Sequence, residues 1–385
     1  MVGMALALML AKKTSLSIAV LEAKQHALLP HRVSAISLSS QKIFQSLAVW
    51  KDIREQDVSP FKKIIVWDAA EKGEIVFDSH EVGESRLGYI IHNSVIQSSL
   101  ENKARQSTRI EMISPVLLTD IIQHEQGMEC IAEDGRIFKA RLVVGADGAH
   151  SWLRQKVGID INKLDYHQHA IVATVQTTLP HHETARQIFL ESGPLAFLPL
   201  TEKNTSSIVW SLPDEEAMRL MKLNSASFQS ALSQAFEYRL GDVIDMSERY
   251  TFPLFRQKAL QYVMPKIALV GDAAHTVHPL AGQGVNMGLL DAASLTDVIV
   301  DAISCHRDFS SISTLRAYER WRKADNLTMF AGIDAIKYLF ASDKKSVQRI
   351  RSFGLNSVNH IKCLKKIFTA HAVGVRDGLP TFARE

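Results

Sequence analysis

Cysteine is scarce: only Cys130, Cys305 and Cys363 in 385 residues, far apart and with no C-x-x-C pair. That scarcity sets aside a disulfide framework and a cysteine metal site, and it suits a reducing cytoplasm. No apolar run reaches the ~18 residues that a bilayer-spanning helix needs. The opening, MVGMALALMLAKK, is apolar, but its lysines follow the run instead of preceding it. It therefore reads as a buried helix and not as a secretory signal. A net charge of +3 gives no reason to invoke nucleic acid. Repeats and low-complexity segments are missing, and no protein nucleophile, catalytic triad or metal cluster stands out. What remains is an ordinary globular composition, 46% apolar and 22% charged, at a length suited to two interleaved domains.

The most informative stretch is KIALVGDAAHTVHPLAGQGVNMGLL, Lys266 to Leu290. Ile267 to Val270 is a short apolar run that reads as a buried strand. Gly271 and Asp272 break it, and Pro279, Gly282 and Gly284 keep the next segment irregular. From Val285 onward apolar residues return at helical spacing, through Leu289, Leu290 and Ala293 to Val298. The plan is strand, carboxylate, glycine-rich loop, helix. Asp272 stands at the carboxyl end of a strand, where open α/β sheets place ligands, and can accept hydrogen bonds from a ribose or ribityl chain. Gly282 and Gly284 admit a flat or phosphorylated ligand close to the backbone. The helix beginning near Val285 aims its free N–H groups and positive dipole end at that ligand.

GDAAH followed by HPLAGQGVN resembles the second flavin motif of the aromatic-ring flavoprotein monooxygenases, the para-hydroxybenzoate hydroxylase-like family. HPLAGQG is similar to the branch that hydroxylates ring precursors of ubiquinone. The resemblance runs from Gly3 to the tail. It implies non-covalent FAD, held in part by Gly271, Asp272, Pro279, Gly282, Gln283, Gly284, Val285 and Asn286. It implies reduction by NADH or NADPH, reaction with O₂ through a flavin C4a-hydroperoxide, and hydroxylation of a polyprenyl phenol or benzoquinol. The cofactor carries that chemistry, and the protein supplies position and exclusion of water. His275 and His278 lie in the flavin loop, and neither is given a catalytic role; the catalytic residues stay unassigned.

At the amino end, an apolar helix from Val2 to Leu10 leads to the strand Leu16–Leu21 and then Glu22. Helix, strand and acid form the second half of a dinucleotide-binding unit, in which the acid takes the adenosine ribose hydroxyls. A complete unit would begin with a strand and G-x-G-x-x-G, and here only Gly3 matches the end of that pattern. The first methionine is read as an internal one, or the chain as truncated. Without a central strand its neighbours would be left unpaired. Arg32, in HRVSAISLSS, stands where the family has an arginine near the adenosine or flavin.

Further on, Asn93 or Gln97 either reaches the flavin or serves as a cap or surface amide. VVGADGAHSWLR, ending the run from Val143, resembles the family's DG motif, which puts Asp147 and Gly148 near the flavin pyrophosphate and the nicotinamide path. Asp-Gly alone is a common turn pair. Ser151 and Arg154 read equally as capping and surface residues. From Tyr166 to Tyr250 alternating runs suggest antiparallel strands. Within them Phe197, Leu198 and Pro199 resemble the family's pocket wall over the flavin, though by composition alone they read as core.

The expected fold is α/β: a discontinuous, Rossmann-like FAD-binding domain (1–60, 94–162 and 256–335), an inserted mixed or antiparallel-sheet substrate domain (61–93 and 163–255), and a helical C-terminal region (336–385). From Lys344 to the end nine Lys or Arg face two acids, Asp377 and Glu385. That basic, partly apolar tail reads either as a solvated face or as a peripheral contact with an anionic membrane. Other ubiquinone-biosynthesis proteins are candidate partners. Two rivals stay open: a flavin-dependent reductase or halogenase, and an inactive flavoprotein homologue acting as a scaffold in a quinone-synthesis complex.

Overall fold

The computed structural model describes residues 1–23, 32–69, 73–277, 284–340, 373–374 and 377–384, with backbone only for 328–340. Its first element is the helix Val2–Lys13, in which every residue from Met4 to Leu10 is buried. A helix that is apolar all round has to be covered all round. It lies against the helices Asn93–Arg105 and Gly284–Ser304 and the strand Ile18–Leu21.

Two small sheets are built on parallel pairs, and a third such pair, Lys63–Asp68 with Thr184–Leu190, lies in the largest sheet. Ile18–Leu21 pairs with Ile110–Ile113, and Val143–Gly145 pairs with Ile267–Leu269, which Val263–Met264 extends in antiparallel fashion. Among the described residues Ile18–Leu21 and Val143–Gly145 thus have one strand neighbour each. An antiparallel sheet of Val33–Ser37, Gly88–His92 and Val58–Phe61 lies beside them, and Leu118–Ala140 forms a three-stranded meander.

Among the described residues the largest sheet has nine strands, one of them the two-residue His275–Thr276 beside Tyr250–Ala259. Its long member, Ile161–Thr177, pairs with Thr205–Pro213 on one side and with Tyr250–Ala259 and Val243–Met246 on the other. Gly193–Pro199, Thr184–Leu190, Lys63–Asp68 and Glu74–Asp78 continue it. Strand side chains alternate between faces, and the alternation divides the molecule into two cores. On one face Trp67, Ile171, Ile188, Phe197, Ile208 and Trp210 pack under the helices Asp214–Met221 and Ser225–Ala235. The other face turns Ile64, Phe77 and Leu198 towards a larger core built on the two long buried helices. Tyr89, Ile90 and Ile91 also belong to that larger core.

The helix Ile312–Phe340 closes the described fold, apart from a short helix, Thr381–Arg384, whose Phe382 is buried in the larger core. The basic stretch read from the sequence lies mostly outside the described residues. No helix among them is long and apolar enough to cross a membrane.

Candidate functional site

The strand Ile267–Leu269 is fully buried, and the Val270 N–H donates to the Gly145 carbonyl at 3.0 Å. The chain then turns at Gly271, whose φ of +61° is left-handed and suits glycine. A side chain at Gly288 would lie 2.7 Å from Val2 and 3.2 Å from the Gly271 Cα, and one at Gly3 would lie 2.9 Å from Ala146. The first turns of two helices and two strand-end loops therefore meet at backbone contact. Both helices bring their N-terminal ends, with the positive ends of their dipoles, to the meeting point.

Asp272 follows at the rim, half-buried. Burial raises its pKa above the ordinary carboxylate value, opposed by His275, Arg32 and the terminal amine. Among the described residues no hydrogen-bond donor reaches its carboxylate. A side chain on Gly284 would stand 4.0 Å from Asp272 Oδ1, so this acceptor faces the start of the helix Gly284–Ser304. Glu22 is exposed at the end of Ile18–Leu21, and its charge, with those of Glu101 and Asp272, opposes the lowering by burial of the Met1 amine pKa. Arg32 is exposed, with its charge within reach of Asp272.

The loop after Val143–Gly145 is tied to this one. Asp147 Oδ2 accepts from the Leu153 N–H at 3.0 Å, and Gly148 takes φ +84°. Ser151 caps the helix Trp152–Lys156 by accepting from the Arg154 N–H at 3.0 Å. Arg154 is not a surface residue: it is 3% exposed and donates to the Ala273 and Ala149 carbonyls, both at 2.9 Å. Burial pushes its pKa down, with Asp147 opposing. Gln257 Nε2 also donates to Ala149 and, at 3.4 Å, to the Asp272 carbonyl.

Behind the Gly271 turn lies a buried charge cluster. Asp291, 0% exposed, accepts from Arg322 Nε through Oδ1 at 2.7 Å and from the Gly271 N–H through Oδ2 at 3.0 Å. His275 Nε2 lies 2.5 Å from the same Oδ2. Burial works against ionisation of Asp291, but His275 and Arg322 hold its carboxyl below the usual range. Arg322 also donates to Asp325 at 2.7 Å and Asn326 at 3.0 Å.

A family model described as "FAD binding domain" matches residues 1–330. The chain is 35% identical over 344 residues to the 3-demethoxyubiquinol 3-hydroxylase of Escherichia coli K12, covering 89% of this chain and 87% of that one. It is 32% identical to the human mitochondrial ubiquinone biosynthesis monooxygenase, covering 89% and 82%. The chain belongs to this FAD-binding family. It is an FAD-dependent monooxygenase of the ubiquinone-hydroxylase branch. Its fold matches that of p-nitrophenol 4-monooxygenase from Pseudomonas putida DLL-E4, with a TM-score of 0.77 at 16% identity, over 97% of this chain and 96% of that one.

The residues present fit FAD. Close-packed glycines bring the two helix starts together, a setting suited to a pyrophosphate, and Asp272 offers an acceptor beside them. The structure brings Gly3, Gly271, Asp272 and Gly284 together, with Asp147 and Gly148 in the adjoining loop. Val285 is partly buried against the larger core. Asn286 is 3% exposed, and its amide bonds within the flavoprotein's own fold, to the Ser37 N–H, Ser40 Oγ and Ala35 carbonyl. Asn93 accepts from Ser34, and Gln97 donates to Glu101. Pro279, Gly282, Gln283 and His278 lie outside the described residues.

The pocket-wall reading needs a correction. A strand cannot present three consecutive residues on one face. Phe197 points into the smaller core, stacked on Phe236 at 3.9 Å between ring centroids, and Pro199 shares its face by alternation. Leu198 alone turns towards the larger core. Sequence reasoning also missed Asp291, Arg322 and Gln257. The available signal was a carboxylate inside the apolar run Leu289–Ala293 and an arginine four residues after the buried Tyr318.

Proposed function

We propose that this monooxygenase hydroxylates the aromatic ring of a polyprenyl phenol or benzoquinol on the route to ubiquinone, using NADH or NADPH and O₂. The observation that carries the site assignment is the Asp272 carboxylate, without a hydrogen-bond donor among the described residues and set at a strand end beside the starts of two helices. The relatives' stated reactions support the substrate class.

In this reading Asp272 accepts from ribityl hydroxyls of FAD, and Glu22 and Arg32 face the adenosine end. Gly3, Asp147, Gly148 and Gly271 border the pyrophosphate. The backbone from Gly284 to Asn286, with Pro279, Gly282 and Gln283, follows the flavin. Bound FAD, reduced by the nicotinamide, supplies activated oxygen. The chain's part is to orient the ring and exclude water. Leu198 and its neighbours on that sheet face, Ala196, Ser207 and Val209, form the wall on the substrate side. The division into an FAD-binding domain and an inserted substrate domain belongs to the same proposal, with Gly88–His92 assigned to the FAD side on account of its core. So do a cytoplasmic location and a peripheral membrane contact through the basic tail, which would suit a polyprenylated substrate.

The test is oxygen incorporation. The purified protein is given nicotinamide, heavy-isotope O₂ and a polyprenyl phenol, and the product is weighed. One labelled oxygen on the ring supports the reading. Nicotinamide consumption that ignores the phenol and labels nothing would move the assignment to a reductase.

A further inference from the structure

The buried cluster of Asp291, His275 and Arg322 sits behind the cofactor face and has no part in the assignment above. Replacing a buried ion pair with well-packed apolar residues is often neutral or stabilising, so bulk stability is a weak reason for one. Geometry is a better reason. Gly271 is buried in a left-handed conformation, and its N–H needs an acceptor. That acceptor is Asp291 Oδ2, while Oδ1 of the same carboxylate is held by Arg322.

We propose that Asp291 is the positioning residue of the flavin loop: locked by Arg322 and His275, it holds the Gly271 N–H and so fixes where Asp272 meets FAD. The proposal rests on the reading that Asp272 contacts the cofactor. The chemistry demands a carboxylate, because both oxygens must accept. An asparagine would turn an NH₂ group either towards Arg322 or towards Gly271 and His275. The cluster also joins three elements at one point: the loop, the helix Gly284–Ser304 and the helix Ile312–Phe340.

The experiment compares wild type, Asp291→Asn, Arg322→Lys, Asp272→Asn and Leu232→Ala, the last a deletion in the smaller core. Each full-length apoprotein is titrated with FAD, the visible circular dichroism of the bound flavin is recorded, and thermal unfolding is followed. Asp291→Asn is expected to bind FAD about tenfold more weakly or worse, with an altered flavin spectrum. Arg322→Lys keeps the cation but loses the fork, and should fall in between. Leu232→Ala should lower the unfolding temperature as much and leave FAD binding alone. Wild-type affinity and spectrum in Asp291→Asn would overturn the proposal, as would FAD loss in Leu232→Ala matching its loss of stability. If Asp291→Asn fails to fold, wild-type FAD affinity in Arg322→Lys overturns it instead. Unchanged affinity in Asp272→Asn would remove the underlying reading and the proposal with it, whereas unchanged affinity in Asp291→Asn alone removes only the proposal.

Discussion

The flavin-side loops and the nine-stranded sheet hold their residues in place by different means. In the loops, backbone groups that no ladder satisfies are matched one by one: Gly271 N–H to Asp291, Ala273 carbonyl to Arg154, Leu153 N–H to Asp147. In the sheet, Ser206 Oγ, Ser207 Oγ and Trp210 Nε1 are buried with no partner among the described residues. The region stands all the same, because Trp67, Phe197, Phe228 and Phe236 supply contact area. One region depends on directional bonds and the other on area, so equal losses of stability should have unequal consequences for the cofactor.

The largest effects test that directly. Arg322→Ala leaves Asp291 buried and short of a cation, a change that costs about 3–5 kcal/mol. Leu232→Ala opens a cavity in the smaller core for about 2–5 kcal/mol. Denaturant unfolding of the two apoproteins should therefore give similar losses. Flavin absorbance after purification should part them, with Arg322→Ala depleted and Leu232→Ala filled. Equal depletion would erase the distinction between the regions.

A smaller effect of opposite sign is expected at Asp272. Its folded pKa lies above the unfolded value, so between the two the folded chain holds more protons. Apoprotein stability then falls as pH rises through that window and stays lower above it. Asp272→Asn removes this loss, so the apoprotein should be more stable than wild type at neutral pH and its melting less dependent on pH across the window. FAD affinity should drop roughly tenfold to a hundredfold, the worth of a hydrogen bond to a charged group. A variant that melts lower and binds FAD normally would contradict both halves.

The signals that were local could be read from the sequence. The all-apolar opening gave a buried helix, and the break after Val270 gave the strand-end turn, since periodicity and glycine are properties of neighbouring residues. What failed needed distance or direction. Phe197 reads as a wall until the pairing of Phe197 with Ile208 shows which face it takes. Arg154 reads as a surface residue until Ala273, more than a hundred residues on, is placed against it. The side-chain bonds of Asn286 to Ser37 and Ser40 also join residues 249 and 246 positions apart, so they could not be read locally either.

The smallest expected effects sharpen the comparison most, since they repeat one change in both regions. Ser151 caps Trp152–Lys156, and Asn224 caps Ser225–Ala235 by accepting from the Ser227 N–H at 2.8 Å. Either residue changed to alanine loses a cap worth about 1 kcal/mol. The helix that Asn224 starts carries mainly area, in Phe228 and Leu232, and its bond to a neighbouring strand, Val243 N–H to Ser233 Oγ, lies in the smaller core. The one that Ser151 starts carries Arg154, whose two bonds hold the 147–151 loop against the Asp272 turn. Thermal unfolding of the apoproteins should show matching small decreases. FAD titration should then show weaker binding for Ser151→Ala and none of that weakening for Asn224→Ala. If both variants bind FAD alike, Arg154 keeps its place without the cap, and the two loops are joined more firmly than these bonds imply.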